Sequence, residues 1–152
     1  MPIAYIGIGS NLGDREGNVR RALDLIAERA GLITATSSLY ETEPWGVTDQ
    51  PQFINAACGV QTALAAEELH RTLRGIEDEI GRDRSVEKWG PRVIDIDILL
   101  YGALVLDTPE LVIPHPRMHE RVFVLAPMVE IAPETMHPAL GIRMADLLGR
   151  LA

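Results

Sequence analysis

Cysteine is almost absent from this chain, because Cys58 is the only one in 152 residues. An internal disulfide is therefore excluded, which is typical of a reducing compartment, and we expect a cytoplasmic protein. No apolar run approaches the roughly 18 residues of a membrane span. The N-terminus has no basic segment followed by an apolar core, so no secretion signal is predicted.

Basic residues are also in the minority. Lys and Arg total 14 against 22 Asp and Glu, and the net charge is −8 at pH 7. This charge argues against a general nucleic-acid partner or an acidic membrane surface. It is uneven, however, because the segment 82–92 carries four cations and two acids. A local basic patch on an acidic protein suits one small anionic ligand better than a long polyanion.

Two aspartates, Asp95 and Asp97, stand one residue apart in an apolar run from Val93 to Tyr101. A strand alternates its side chains between two faces, so both carboxylates are predicted to point the same way, roughly 7 Å apart. Strands contain little Asp, and a buried carboxylate needs a partner. Mg²⁺ takes one or two carboxylates together with substrate phosphates, so this pair beside the basic segment favours a metal site for phosphoryl transfer. The alternative is a structural ion cluster with the nearby arginines, or a solvated strand end.

Other segments have the composition of ligand sites. The glycines of segment 7–13 predict close backbone approach to packed chain or to a flat ligand, and their spacing is not that of a dinucleotide loop. Phe53 and Asn55 alternate onto one strand face, where a ring and an amide suit a flat heterocycle, unless Phe53 is core and Asn55 an edge residue. Trp45 lies in a loop of the kind that closes over ligands. His115, held between two prolines, suits an anion contact or a structural turn.

Hydrophobic periodicity predicts the order strand, helix, strand, strand, helix, strand. This is the ferredoxin-like βαββαβ arrangement of an α+β protein, with an antiparallel sheet and both long helices on one face. Asp14 is the expected N-cap of the first helix and Gly31 its stop. The predicted elements are strands 3–8, 32–40, 53–62 and the Asp95–Asp97 strand, helices 15–30 and 64–80, a hairpin partner 103–106 for the last strand, and C-terminal helices 121–131 and 144–151.

The Asp pair belongs to a longer motif. The segment Lys88-Trp-Gly-Pro-Arg92-x-x-Asp95-x-Asp97 resembles the signature of the 6-hydroxymethyl-7,8-dihydropterin pyrophosphokinase family of folate biosynthesis. The agreeing segments are 8–14, 40–46, 49–55, 114–118 and 121–125. Lys88 stands where Arg also occurs in the family, and Lys keeps the charge but lacks the bidentate fork.

This resemblance implies a Mg²⁺-dependent enzyme that transfers pyrophosphate from ATP to the hydroxymethyl group of the dihydropterin and releases AMP. Asp95 and Asp97 would ligate two Mg²⁺ ions, and Arg82 and Arg92 would stabilise charge during transfer. Asp97 is also the candidate proton acceptor, as a hypothesis. The implied pterin-binding residues are Thr42, Pro44, Trp45, Phe53, Asn55 and Phe123. The implied ATP-binding residues are Glu77, Arg84, Lys88, Trp89, Arg92, Ile98, His115 and Arg121.

The implied partners are therefore ATP and 6-hydroxymethyl-7,8-dihydropterin, with no nucleic acid and no membrane, and we expect a monomer with a single pyrophosphokinase domain over residues 1–152. Two other hypotheses compete. A small-ligand regulatory module of the same topology has no need for two acids beside four cations. A single-strand RNA binder conflicts with the net charge of −8 and with the lack of paired aromatics on central strands.

Overall fold

The core of the protein is a five-stranded antiparallel sheet. A computed structural model describes residues 1–42, 52–81 and 93–151. The strands are β1 (Ile3–Ser10), β2 (Leu32–Thr36), β3 (Tyr40–Thr42), β4 (Phe53–Gln61) and β5 (Asp95–Tyr101). They follow the order β2-β4-β1-β5, and β3 also pairs with β4. The predicted α+β class is confirmed, and β1 lies between the strand with Phe53 and the strand with the two aspartates.

Two long helices, α1 (Arg15–Arg29) and α2 (Ala66–Ile80), cover one face of this sheet. The even-numbered apolar residues of β1 and β4, together with Ile96 and Ile98 of β5, pack against them in one buried cluster. Asp14 caps α1 as predicted, since its Oδ1 accepts a hydrogen bond from the Gly17 N–H at 3.1 Å. Gly31 then ends the helix with φ +155°, and a Cβ there would lie 2.2 Å from the Gln61 carbonyl oxygen.

The opposite face carries the C-terminal helices α3 (Val122–Ile131) and α4 (Met144–Leu151). Their apolar side chains pack with Ala57, Leu99 and Leu100 in a second buried cluster. The remaining elements are short: β6 (Leu106–Asp107) pairs with β7 (Val112–Ile113), and β8 (Met136–His137) pairs with β9 (Ile142–Arg143). Among the described residues, no helix combines the length and the apolar character needed to cross a membrane.

The structure corrects three predicted elements. The segment 103–106 is not a hairpin partner of β5, since β6 pairs with β7 instead. The predicted strand 32–40 is two strands, β2 and β3, separated by residues 37–39. At this break the Ser37 hydroxyl accepts the hydrogen bond of the Ala57 N–H, in place of a backbone carbonyl of a neighbouring strand. β1 runs on to Ser10, past Ile8, since its glycines pair with both neighbouring strands.

Candidate active site

The candidate site lies on the sheet face that carries the odd-numbered residues of three adjacent strands. Gly9 of β1 pairs with Asn55 of β4 on one side and with Asp95 of β5 on the other. Gly7, two residues back, pairs with Asp97. Ile96 between the aspartates is fully buried on the helix side, so the two carboxylates share the opposite face, as the alternation predicted.

Gly9 keeps the middle of this row free of side chain. A Cβ at that position would lie 2.8 Å from Asn55 Oδ1 and 3.5 Å from Phe53 Cδ1. The side chains of Asn55 and Phe53 therefore extend over β1, on the side toward the aspartates. They occupy space that a side chain at position 9 would fill. This is the close backbone approach that the glycine segment predicted, here to side chains of β4.

The outer edge of β5 is held by two side chains of α2. The Ile96 N–H donates to Glu77 Oε2 at 2.8 Å, and the Ile96 carbonyl accepts from an Arg74 guanidinium nitrogen. Together they replace the hydrogen bonds that a further strand would make, and leave an edge strand protected. Burial raises the pKa of Glu77 to about 7, although Arg74 and the Ile96 N–H both act to lower it.

Asp97 has a cation and an imidazole beside it. Its Oδ1 lies 3.5 Å from Arg74 NH2, and its Oδ2 lies 3.9 Å from His115 Nε2. The His115 N–H donates to the Leu99 carbonyl at 3.0 Å, which fixes the Pro-His-Pro segment to β5 just beyond the aspartates. His115 Nδ1 accepts from the Arg117 N–H at 3.4 Å, so Nε2 is the nitrogen left to carry a proton toward Asp97.

Burial lowers the pKa of His115, the charge of Asp97 acts to raise it, and the charge of Arg121 acts to lower it. Arg121 is the N-cap residue of α3, and its guanidinium carbon lies 5.6 Å from the centre of the Phe123 ring, within the range of a cation–π contact. Asp97, His115, Arg121 and Phe123 thus form one continuous group.

Glu130, at the other end of α3, fixes that helix to the strand next to the site. Its carboxylate accepts from the Ser38 N–H at 3.0 Å and from the Tyr40 hydroxyl at 2.6 Å. These hydrogen bonds lower the pKa of Glu130. Tyr40 pairs with Asn55 across β3 and β4, so α3, which carries Phe123, is tied to the row that contains Asn55.

The predicted site residues do not all lie together. Asp95, Asp97, Glu77, His115, Arg121 and Phe123 lie along β5 and its neighbours, while Phe53 and Asn55 reach them across Gly9. The Ile98 side chain is 4% exposed in the helix-side core, so only its backbone faces the edge of the sheet. Thr42 ends β3 opposite Phe53. Outside the described residues lie Pro44, Trp45, Arg82, Arg84, Lys88, Trp89 and Arg92.

Sequence reasoning missed Arg74, Asn18 and Glu130. Asn18 Nδ2 donates to the carbonyls of Leu12 and Val93, at 3.0 and 3.3 Å, and so joins the turn after β1 to the approach of β5. Asn inside a predicted helix, where it is disfavoured, is the pattern that could have drawn attention to it. Arg74 stands at an ordinary position of an amphipathic helix, and nothing in the pattern marks it. Glu130 is the only charged residue of the otherwise apolar α3, and that isolation could have drawn attention to it.

The carboxylates of Asp95 and Asp97 suit a hard divalent cation whose remaining ligands come from outside the described residues. Two carboxylates share one face beside a glycine strand. Within residues 1–42, 52–81 and 93–151, no group of three or more His, Cys, Asp or Glu side chains could hold a metal ion. Mg²⁺ is commonly bound in this way, through one or two carboxylates plus phosphate oxygens and water. The described residues therefore suit a metal that arrives with a phosphorylated substrate.

A cavity of about 310 Å³ lies between α2 and the turn that joins β6 to β7. It is lined by Glu67, His70, Arg71 and residues 108–111. His70 is half-buried, and burial and the nearby charge of Arg74 both lower its pKa, whereas the charge of Asp97 acts to raise it. The cavity therefore lies within electrostatic range of Asp97.

Comparison with known proteins shows which family this chain belongs to. The model of the 7,8-dihydro-6-hydroxymethylpterin-pyrophosphokinase (HPPK) family matches residues 5–133. The chain belongs to the HPPK family. It is 50% identical over 130 residues to the 2-amino-4-hydroxy-6-hydroxymethyldihydropteridine pyrophosphokinase of Bacillus subtilis, covering 85% of this chain and 77% of that protein. The resemblance seen in the motifs is confirmed, and the protein is an enzyme of the pyrophosphokinase class.

Longer HPPK relatives also match. A folic acid synthesis protein of Pneumocystis carinii is 42% identical over 147 residues, which are 97% of this chain but 20% of that protein. The crystal structure of wild-type Plasmodium falciparum HPPK-DHPS has a TM-score of 0.78 at 16% identity, over 98% of this chain and 44% of that one. The structural likeness shows the fold. The chain spans less than half of these longer proteins.

Proposed function

We propose that this chain transfers pyrophosphate from ATP to the hydroxymethyl group of 6-hydroxymethyl-7,8-dihydropterin and releases AMP. The observation that carries the proposal is the placement of Asp95 and Asp97 on one sheet face, two strands away from Asn55, with Gly9 between them. Adjacent strands lie about 4.8 Å apart, so the row spans roughly 10 Å. That distance suits a pterin edge at one end and a polyphosphate at the other.

On this proposal the pterin lies between Phe53 and Phe123, and the Asn55 amide binds its edge with donor and acceptor in one plane. The nucleotide lies along the edge of β5, where Glu77, His115 and Arg121 are placed, and extends toward the cavity beside α2. Two Mg²⁺ ions, when bound, would supply positive charge to the phosphates between the nucleotide and the pterin. Asp95 and Asp97 would hold these ions.

Positioning and charge then account for catalysis. The pterin hydroxyl attacks the β-phosphorus in line with the leaving AMP, and no covalent enzyme intermediate is needed. The Asp97 carboxylate is the proposed acceptor of the hydroxyl proton, and His115 lies beside it, with Nε2 3.9 Å from Asp97 Oδ2. We extend the proposal to the residues outside the described part: Thr42 (side chain), Pro44 and Trp45 for the pterin, Arg84, Lys88 and Trp89 for ATP, and Arg82 and Arg92 for charge stabilisation.

The wider assignments belong to the same proposal. The strand order β2-β4-β1-β5 with α1 and α2 on one face supports a ferredoxin-like fold. The single cysteine supports a cytoplasmic location. Residues 1–152 would form one pyrophosphokinase domain that acts as a monomer.

One assay tests the activity. The protein is incubated with ATP, Mg²⁺ and the hydroxymethyl dihydropterin, and the nucleotide products are separated by chromatography. We expect AMP and the pterin diphosphate in equal amounts, and no AMP when the pterin is left out. Release of ADP would exclude pyrophosphoryl transfer, and the absence of any nucleotide product would favour a binding module.

A further inference from the structure

Arg74 makes three contacts with the residues around the candidate metal site, although neither the motif nor the chemistry assigned above uses it. One guanidinium nitrogen lies 3.5 Å from Asp97 Oδ1 and also donates to the Ile96 carbonyl. Its Nε lies 3.2 Å from Glu77 Oε1, a contact of opposite charges without the alignment of a hydrogen bond. The guanidinium therefore occupies a place beside Asp97 that a divalent cation would compete for.

We propose that Arg74 is a positioning residue that acts as the internal counter-ion of Asp97 before a metal binds. Its positive charge weakens binding of a divalent cation to the free protein, so that the metal binds well only together with the nucleotide phosphates. The inference rests on the assignment of Asp95 and Asp97 as metal ligands in the proposed function.

Geometry supports a replaceable partner rather than a permanent one. The Arg74 side chain is 39% exposed and that of Asp97 is 45% exposed, so water can take over from either group when the pair separates. The Ile96 carbonyl and the Glu77 carboxyl group, 3.2 Å from Arg74 Nε, remain as partners for Arg74 after Asp97 has turned to a metal. The guanidinium thus need not leave the edge of β5 when its contact with Asp97 is lost.

The test is binding of Mn²⁺ alone to the nucleotide-free protein, followed by electron paramagnetic resonance. In Arg74→Gln we expect Mn²⁺ to bind about threefold to tenfold more tightly than in the unaltered protein, the scale of a solvent-exposed charge pair acting on a divalent ion. Arg74→Lys, which keeps the charge, should bind Mn²⁺ as the unaltered protein does. Asp97→Asn should abolish the gain in the Arg74→Gln background, because the two residues are then uncoupled.

Arg20→Gln is the matched control, since Arg20 is an exposed arginine of α1 paired with Glu16 at 3.9 Å. An equal gain in Arg20→Gln would show a general effect of net charge and overturn the proposal. Unchanged or weaker Mn²⁺ binding in Arg74→Gln would also overturn the proposal. The same holds if Arg74→Lys behaves like Arg74→Gln, because Arg74 would then only support the strand.

If circular dichroism shows that Arg74→Gln fails to fold, Arg74→Met, which keeps the aliphatic stem of the side chain, takes its place. Tighter Mn²⁺ binding without AMP formation would reject the proposed function and retain the role of Arg74.

Discussion

Gly9 gives the sharpest test of how the sheet face is built. In Gly9→Ala the new methyl group would lie 2.8 Å from Asn55 Oδ1, well inside a normal contact distance. Asn55 must then turn away or β1 must shift. Overpacking of this kind costs about 1–3 kcal/mol. If Asn55 binds the pterin edge, that cost weakens pterin binding by about fivefold to 150-fold, since 1.4 kcal/mol is a tenfold change in Kd.

Gly7→Ala is the matched variant, because Gly7 lies on the same strand and face. Its methyl group would lie 3.3 Å from the terminal carbons of Leu99, so a smaller shift is needed there than at Gly9. Calorimetric titration with the hydroxymethyl dihydropterin gives Kd for both variants, and thermal unfolding gives the change in Tm. We expect a large rise in Kd for Gly9→Ala and little change for Gly7→Ala. Equal losses in both variants would show strain in β1 instead, and unaltered pterin binding in Gly9→Ala would refute the reasoning.

Three further predictions concern the neighbouring side chains. Asp97→Asn keeps the shape of the side chain but removes its charge, so AMP formation should fall by about 100-fold or more while Tm changes little; the same change at exposed Asp107 should leave the rate intact. The pKa of Glu77 is raised to about 7. In metal-free protein, protonation of Glu77 therefore increases the free energy of unfolding below pH 4.5, and this contribution is lost as the pH rises through 7. Urea unfolding should show this loss, at most about 3 kcal/mol, and Glu77→Gln should remove it. Phe123→Ala should weaken pterin binding by about 1–3 kcal/mol if the ring stacks on it, whereas Val122→Ala, at the exposed neighbouring position, should not.

Local chemistry made part of the fold predictable. The alternation of Asp95, Ile96 and Asp97 specified which faces the three side chains occupy, and the structure confirms it. The Asp14 cap and the Gly31 stop were equally readable, because both depend on contacts within a few residues or on a backbone angle that favours glycine. Predictions of this kind succeed because the deciding interactions lie close together in the chain.

Long-range contacts explain what was missed. The segment 103–106 had the apolar composition of a strand, but the edge of β5 near Ile96 is satisfied by α2 side chains. His119 and His137 had no visible partner in the sequence, yet their rings meet edge to face at 6.0 Å. Arg74 is the clearest case, since its position on α2 looks like any other polar helix position. Its importance depends on which strand lies at the sheet edge, and periodicity does not encode strand order.

The sheet separates two kinds of sequence change. The even-numbered apolar residues of β1 and β4, with Ile96 and Ile98 of β5, lie in the helix-side core, whereas the odd-numbered Gly9, Asn55 and Asp95 lie in one row on the other side. A substitution at an even position on the helix side alters chiefly the stability of the protein. A substitution at an odd position of this row alters chiefly which ligand the protein binds. Ligand preference can therefore drift or be redesigned at Asn55 and Asp95 without repacking the core, while Gly9 must stay glycine, and a library confined to these two positions would sample new specificities on an unchanged scaffold.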